Sequence, residues 1–499
     1  MRINCRVVFL IVILLPLVTT PVGMNVDNSK MQQIETNQIS QIPDAYYIQD
    51  VPYVWQEVNG YCASAAISMV LQSMGMDLDL HDLFSAMGTG FSAMYVGIDQ
   101  SRTFYPGVLI RQPEYLQFFF DLYGLEFTTY LDTREPFGWG GADNYDRLGV
   151  EYIDFANSTT PAPLDIVRDT ISSGIPLAVA VDLYYLPPED YADYKQYGAP
   201  LDAWGVAHLV TIAGYNDTSH EIYIQDPGVG LFGDDAGYPD DGRWNYTMSY
   251  VNFNRAWKSA GYVTFKITQG TGPIDNFEER LGEYLVERLR GDRSEYFKEF
   301  DAFYLSPGKS AFSGLGLDLT VDSIAEYARY FKEVNKDEAL LSLGHSSEMF
   351  LTIQYHGYLH GLDTIQDIFP EVDLTAFIDA ADDALPHFEV LTCNESIQTL
   401  VGIKSRDTLL FSTFEDIALD FQSSGNLEES IRNHQDGLGE IRDHLFCIAN
   451  CWDAAADALE ETLNLHDNAE PLSGSMQIVI GGSVVIILIL AICLVRRRK

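Results

Sequence analysis

Apolar residues along residues 63–74, 113–123 and 164–173 recur at three- and four-residue spacing, which predicts three helices. Between and after them come short apolar runs at 177–183, 209–213, 221–224 and 261–267. Their length and flanking turn residues predict strands. Residues 184–202, rich in Tyr, Pro and Asp, and residues 228–242, crowded with Gly and Asp, predict surface loops. The pattern changes at the turn-rich Thr268-Gln-Gly-Thr-Gly-Pro273. Beyond it, helical spacing governs 274–289, 320–335, 339–359, 374–385, 409–421 and 427–463, and no strand is expected. A mixed α+β domain over 42–268 followed by an all-α domain over 274–465 is the predicted organisation.

The two ends carry a different pattern. Arg2 and Arg6 precede an apolar run from Val7 to Val18 and small residues up to Gly23, the layout of a signal peptide over 1–24. Residues 476–495 hold no charge and are long enough to cross a bilayer as a helix, with Arg496-Arg-Arg-Lys499 behind them. The positive-inside rule makes 496–499 a cytoplasmic tail. The expectation is a single-pass cell-membrane protein with its bulk extracytoplasmic. Sequons at Asn157, Asn216, Asn245 and Asn394 fit a glycoprotein on that side.

Charge narrows the choice of partner. The chain carries 72 acidic and 30 basic residues, a net charge of −42, and six of the basic ones lie in the leader and tail. A field of that sign repels nucleic acid and anionic headgroups, so no nucleic-acid partner is expected. Of six cysteines, Cys5 and Cys493 fall in the leader and the span. If Cys62 is a free nucleophile, Cys393, Cys447 and Cys451 allow at most one disulfide, Cys393 with either of the others.

Cys62 opens a helix-forming run after the turn signal Asn59-Gly60, so the positive end of the helix dipole would face its sulfur. His208 heads an apolar strand, and a ring nitrogen there could hold the thiol's proton. Asp226 follows the next strand, and the intervening turn 216–220 would bring it back to orient the imidazole. Gln56 could donate its amide hydrogens to a developing oxyanion, together with the Cys62 N–H. A thiol, an imidazole, a carboxylate and an amide in this order are the parts of a nucleophilic hydrolase.

The segment 51–71, with Pro52, Gln56, Cys62, Ala65 and Met69, resembles the cysteine motif of the double-glycine-leader peptidase superfamily and its stand-alone relatives. His208–Asn216 and Ile224–Pro227 resemble that family's histidine and aspartate motifs. The resemblance extends over about 42–267, with residues 164–183 and 253–267 matching in pattern. It implies a papain-like fold, Cys62, His208 and Asp226 as triad, Gln56 at the oxyanion site, a peptide substrate and no cofactor. Ala63 and Ser64 replace the family's usual glycine and proline. No transporter portion is seen, so coupled export is not implied. The helical half, with residues 442–456, is also similar to the butirosin-biosynthesis acyltransferase type, in which the same Cys–His pair passes an acyl group to an amine. A catalytically idle peptide-binding module is the third alternative.

His356 and His360 stand four apart in a helical stretch, with His345 and His387 near in sequence. The zinc-protease glutamate is missing, so no metal site is expected. Gly314-Leu-Gly316 lacks the strand that a phosphate loop needs.

Overall fold

The computed structural model describes residues 42–98, 101–107, 113–135, 145–146, 150–192, 207–231, 237–291, 304–330, 335–392 and 408–465. In chain order the first half holds β1 (Ala45–Tyr47), α1 (Cys62–Ser73), α2 (Leu80–Ala86), β2 (Ala93–Ile98), β3 (Ser101–Pro106), α3 (Pro113–Leu122), β4 (Glu126–Leu131) and β5 (Ile153–Asp154). It continues with α4 (Pro163–Ser172), β6 (Leu177–Asp182), β7 (Ala207–Asn216), β8 (Glu221–Gln225), β9 (Asn245–Ser249), α5 (Tyr250–Ser259) and β10 (Thr264–Thr268). The second half holds α6 (Phe277–Arg290), β11 (Tyr304–Pro307), α7 (Lys309–Asp318), α8 (Val321–Tyr330), α9 (Lys336–Ile368), α10 (Thr375–Asp382), α11 (Leu385–Leu391), α12 (Leu409–Ser424), α13 (Leu427–Asn433) and α14 (Gln435–Thr462).

The main sheet runs β5-β4-β10-β6-β7-β8-β9, with β1 joined to β7, and every pairing but β4–β5 is antiparallel. Its central strands read as unbroken apolar runs because both faces are covered. Ala178, Ala180 and Leu209 share one core with Ala63, Ala66 and Ile67 of α1. Val179, Val181, Val210, Ile212, Ile222 and Ile224 point the other way, into a core with Ile171 of α4 and Trp257 of α5. The period of two along each strand sorts these residues between the faces.

Local signals set the helix ends. Asp79 caps α2 by accepting from His81 and Asp82, and Asp82 reaches back to the Asp79 N–H in a capping box. Ser249 caps α5 through the Asn252 N–H, and Pro163 opens α4. Gly291, in the left-handed region at φ 78°, stops α6.

The helical half does not stand apart. Its 33-residue helix α9 packs against α2 and β3 as well as against α12. One apolar core runs from α1 through α9 to Trp452 of α14. At the junction the backbones nearly touch: a Cβ on Gly90 would lie 2.3 Å from the Gly357 carbonyl oxygen.

Three expectations change. The region after 273 is not purely helical, because β11 pairs antiparallel with β2, and β3 completes that small sheet. The predicted helix over 427–463 is two, broken at His434. The third correction concerns the membrane. Among the described residues no helix is long and apolar enough to cross a bilayer. The longest, α9 and α14, carry charged residues along their lengths, Glu348 and Asp363 in one and Arg442 and Asp457 in the other. The fold is therefore an α+β domain followed by a helical region, and neither a C-terminal transmembrane helix nor single-pass membrane localisation is supported. The leader 1–24, the stretch 476–495 and the tail 496–499 lie outside the described residues, as do Cys393 and Asn394.

Candidate active site

Cys62 is the first residue of α1 and is buried as a free thiol. Alanines at 63, 65 and 66 favour the helix and leave no bulk to block the packing against β7, where the Thr211 hydroxyl donates to the Ala66 carbonyl at 3.2 Å. No side chain caps this helix start and its first turn holds no acid, so the positive pole falls on the Cys62 end.

His208 is the second residue of β7, paired with Val181 of β6. The hairpin register explains its partner. Thr211 pairs with Gln225, so Asp226, one residue on, falls level with Val210 and on the same face as His208. His208 Nε2 lies 2.6 Å from Asp226 Oδ1. That leaves Nδ1 free of Asp226, and Cys62 is near enough to favour the charged imidazole.

Asp226 is fully buried and collects four donors. Its Oδ1 accepts from His208, from the Tyr191 hydroxyl at 2.9 Å and from the Gly228 N–H at 2.9 Å. Its Oδ2 accepts from the Tyr246 hydroxyl at 2.8 Å. Burial alone would drive the His208 imidazolium to lose its proton. The Asp226 carboxylate and then Cys62 outweigh that and hold its pKa up at about 10. Burial likewise raises the Asp226 carboxyl, and the His208 charge and the surrounding donors bring it below the usual range. Tyr191 and Tyr246 are pushed well above ordinary phenol values, by burial and then by Asp226, so both stay protonated donors.

Gln56 completes the group. Three bonds lay its segment along the residues that follow β8. The Tyr53 hydroxyl donates to the Asp226 carbonyl at 3.2 Å, the Gln56 N–H to the Pro227 carbonyl at 3.1 Å, and the Trp55 indole to the Val229 carbonyl at 3.1 Å. The Gln56 amide is buried and donates to the Val58 carbonyl at 3.0 Å. Its Oε1 has no hydrogen-bond partner. Gly228 sits where the groups converge: a Cβ there would lie 2.8 Å from His208 Cε1, 2.8 Å from the Tyr191 hydroxyl and 3.1 Å from Gln56 Oε1. The structure thus brings together all four residues singled out in the sequence.

Residues 48–264 match the Peptidase_C39 like family. The Peptidase_C39-like stretch begins in the residues after β1 and ends at the first residue of β10, so it contains Gln56, Cys62, His208 and Asp226. It supports the expected papain-like cysteine-peptidase domain. No curated protein matches the chain.

Tyr191, Tyr246 and Gly228 were not singled out for chemistry in the sequence. Tyr191 belongs to an aromatic-rich stretch and Tyr246 to a sequon, and neither signal announces a carboxylate partner 35 or 20 residues away. Four histidines of the helical half fall into two pairs. His356 and His360 share one face of α9 beside the Peptidase_C39-like stretch. His387 instead meets His444 of α14, Nδ1 to Nδ1 at 2.9 Å. Cys447 and Cys451 are free thiols one turn apart on α14. Gly314 and Gly316 lie inside α7, where added Cβ atoms would meet Tyr95 and Phe446.

Proposed function

We propose that this chain is a thiol hydrolase that cleaves peptide amide bonds, with Cys62 as nucleophile, His208 as acid and base, and Asp226 as the group that orients His208. The observation that carries this is the buried His208–Asp226 pair, Nε2 to Oδ1 at 2.6 Å, with the Cys62 thiol near enough to favour the imidazolium. The match to the Peptidase_C39 like family over 48–264 favours the same reading.

In the proposed reaction the Cys62 thiolate attacks the scissile carbonyl carbon while His208 carries the proton as imidazolium. The negative charge moves to the carbonyl oxygen, where the Cys62 N–H and the second amide hydrogen of Gln56 can stabilise it. Collapse expels the amine, which takes the proton from His208, and leaves a thioester on Cys62. Water then gives its proton to His208 and attacks the thioester, releasing the acid and the thiol. Transfer of the acyl group to an amine would use the same residues, and amine-dependent product would separate the two outcomes.

The test is alkylation of Cys62 by iodoacetamide as a function of pH, followed site by site by mass spectrometry. Reaction near neutral pH faster than that of a model thiol, and slowed in His208→Ala, supports an activated nucleophile. Reaction no faster than the model thiol defeats the proposal. Hydrolysis of a peptide library that is lost in Cys62→Ala then assigns the bond.

A further inference from the structure

Glu57 follows Gln56 in the chain, yet its side chain serves a different neighbourhood. Its backbone lies in the left-handed region at φ 57°, which few residues other than glycine adopt. The carboxylate reaches α2 and α9: Glu57 Oε2 lies 3.0 Å from His81 Nε2 and 3.1 Å from His356 Nε2. His360, one turn beyond His356, stacks on His81 with ring centroids 3.9 Å apart and lies 4.5 Å from the His356 ring. One ligand atom from each of the four residues lies within 4.8 Å of all the others.

We propose that Glu57, His81, His356 and His360 bind a divalent cation of the zinc class, tying the loop before Cys62 to helix α9. Three imidazoles and one carboxylate match the ligand preference of zinc and its neighbours, and exclude the all-oxygen sites that magnesium and calcium require. A tetrahedral zinc with bonds near 2.1 Å spaces its ligands about 3.4 Å apart. The two Glu57 separations already approach that edge. The wider ones close by roughly an ångström through side-chain torsions, with α2 and α9 unmoved. His356 and His360 are four apart on one helix, so both rings project from one face. His360 Nδ1 stands 3.5 Å from Asp363 Oδ2, and a carboxylate so placed commonly orients a metal-bound histidine through its other nitrogen. Four protein ligands fill a tetrahedral ion, so the site is structural in kind and takes no part in bond cleavage. It is independent of the function proposed for Cys62.

The test uses the full chain dialysed against zinc and then freed of excess metal. One zinc per chain by elemental analysis is expected, with a melting temperature that falls on chelation and recovers on adding zinc. His81→Gln and His360→Gln should each weaken binding by at least about 100-fold. Should these variants fail to fold, cobalt(II) in the wild-type chain decides the matter. Tetrahedral visible bands without a thiolate charge-transfer band support the site, whereas a thiolate band assigns the metal to cysteine and overturns it. No retained zinc, a melting temperature indifferent to chelation, or zinc held equally well by the His81→Gln/His360→Gln double variant would also overturn it.

Discussion

The Tyr61 hydroxyl donates a 2.5 Å hydrogen bond to the Ile353 carbonyl, across 292 residues of chain. Tyr61 is the residue immediately before Cys62, at the boundary of its helix, and Ile353 belongs to the centre of α9. The ring is fully buried and stacks at an angle on Phe84, 4.5 Å away, so the proposed nucleophile is braced from the helical half.

Tyr61→Phe keeps the ring and removes the donor. The Ile353 carbonyl keeps its place in the α9 hydrogen-bond ladder, so the loss is that of one hydrogen bond, about 0.5–1.5 kcal/mol. Urea denaturation should show a midpoint lowered by that amount with an unchanged slope. An unchanged midpoint would mean that the bond contributes nothing net.

The His208–Asp226 pair sets a stability window in pH. The His208 pKa is raised from 6.5 to about 10, so its contribution is complete below about 6.5 and lost as pH rises through about 10. Asp226 is lowered, so its contribution is present above the ordinary carboxylate range and lost as pH falls below it. The wild-type melting temperature should therefore hold a plateau between these limits and fall on both sides. In His208→Gln the alkaline fall attributable to this residue should disappear, which differential scanning calorimetry against pH can check.

Asp226→Asn tests the carboxylate itself. Removing one member of a buried charged pair destabilises by about 3–5 kcal/mol. It also permits the wrong imidazole tautomer, for which a loss of roughly a thousandfold or more in turnover is expected. Tyr246→Phe, which removes one donor from the same group, should cost about 1–3 kcal/mol and leave most of the turnover. Equal losses in both variants would show that Asp226 acts only in folding.

Gly228→Ala places a methyl group where His208, Tyr191 and Gln56 meet, at 2.8–3.1 Å from each. Overpacking of this kind destabilises by about 1–3 kcal/mol. Displacement of the imidazole should slow Cys62 alkylation by at least about tenfold. Unaltered reactivity would show that the site relaxes around the added carbon.

Much of this was legible in the sequence, for reasons that differ by element. Strands β6, β7 and β8 were readable because burial on both faces leaves short apolar runs between turns, and helices α1, α4 and α12 because one apolar stripe repeats at helical spacing. Strands β2 and β3 were not, since glycine, serine and arginine interrupt them and β11, the partner of β2, comes only at Tyr304–Pro307. The four candidate residues stand out in the sequence by their order and flanks. The oxygens around Asp226 were not, because Tyr191 and Tyr246 acquire their roles only when the chain folds over the end of β8. His356 and His360 are legible as a pair at helical spacing but not as a metal site, since His81 and Glu57, which meet them in space, lie in the first hundred residues. The membrane expectation rested on the ends of the chain, 1–24 and 476–499, with the sequons in support, and no described helix repeats the apolar character of 476–495.

The Gly90–Gly357 approach bears on how the protein is made. Synthesis from the N-terminus completes the Gln56, Cys62, His208 and Asp226 segments once residue 246 has emerged, but the surface under Tyr61 is covered only when α9 follows, more than a hundred residues later. A nascent chain in that interval holds every residue proposed for chemistry, on a helix whose outer flank still waits for its cover. A stop codon placed near residue 270 should therefore yield a product that aggregates, even though every residue proposed for chemistry is present in it.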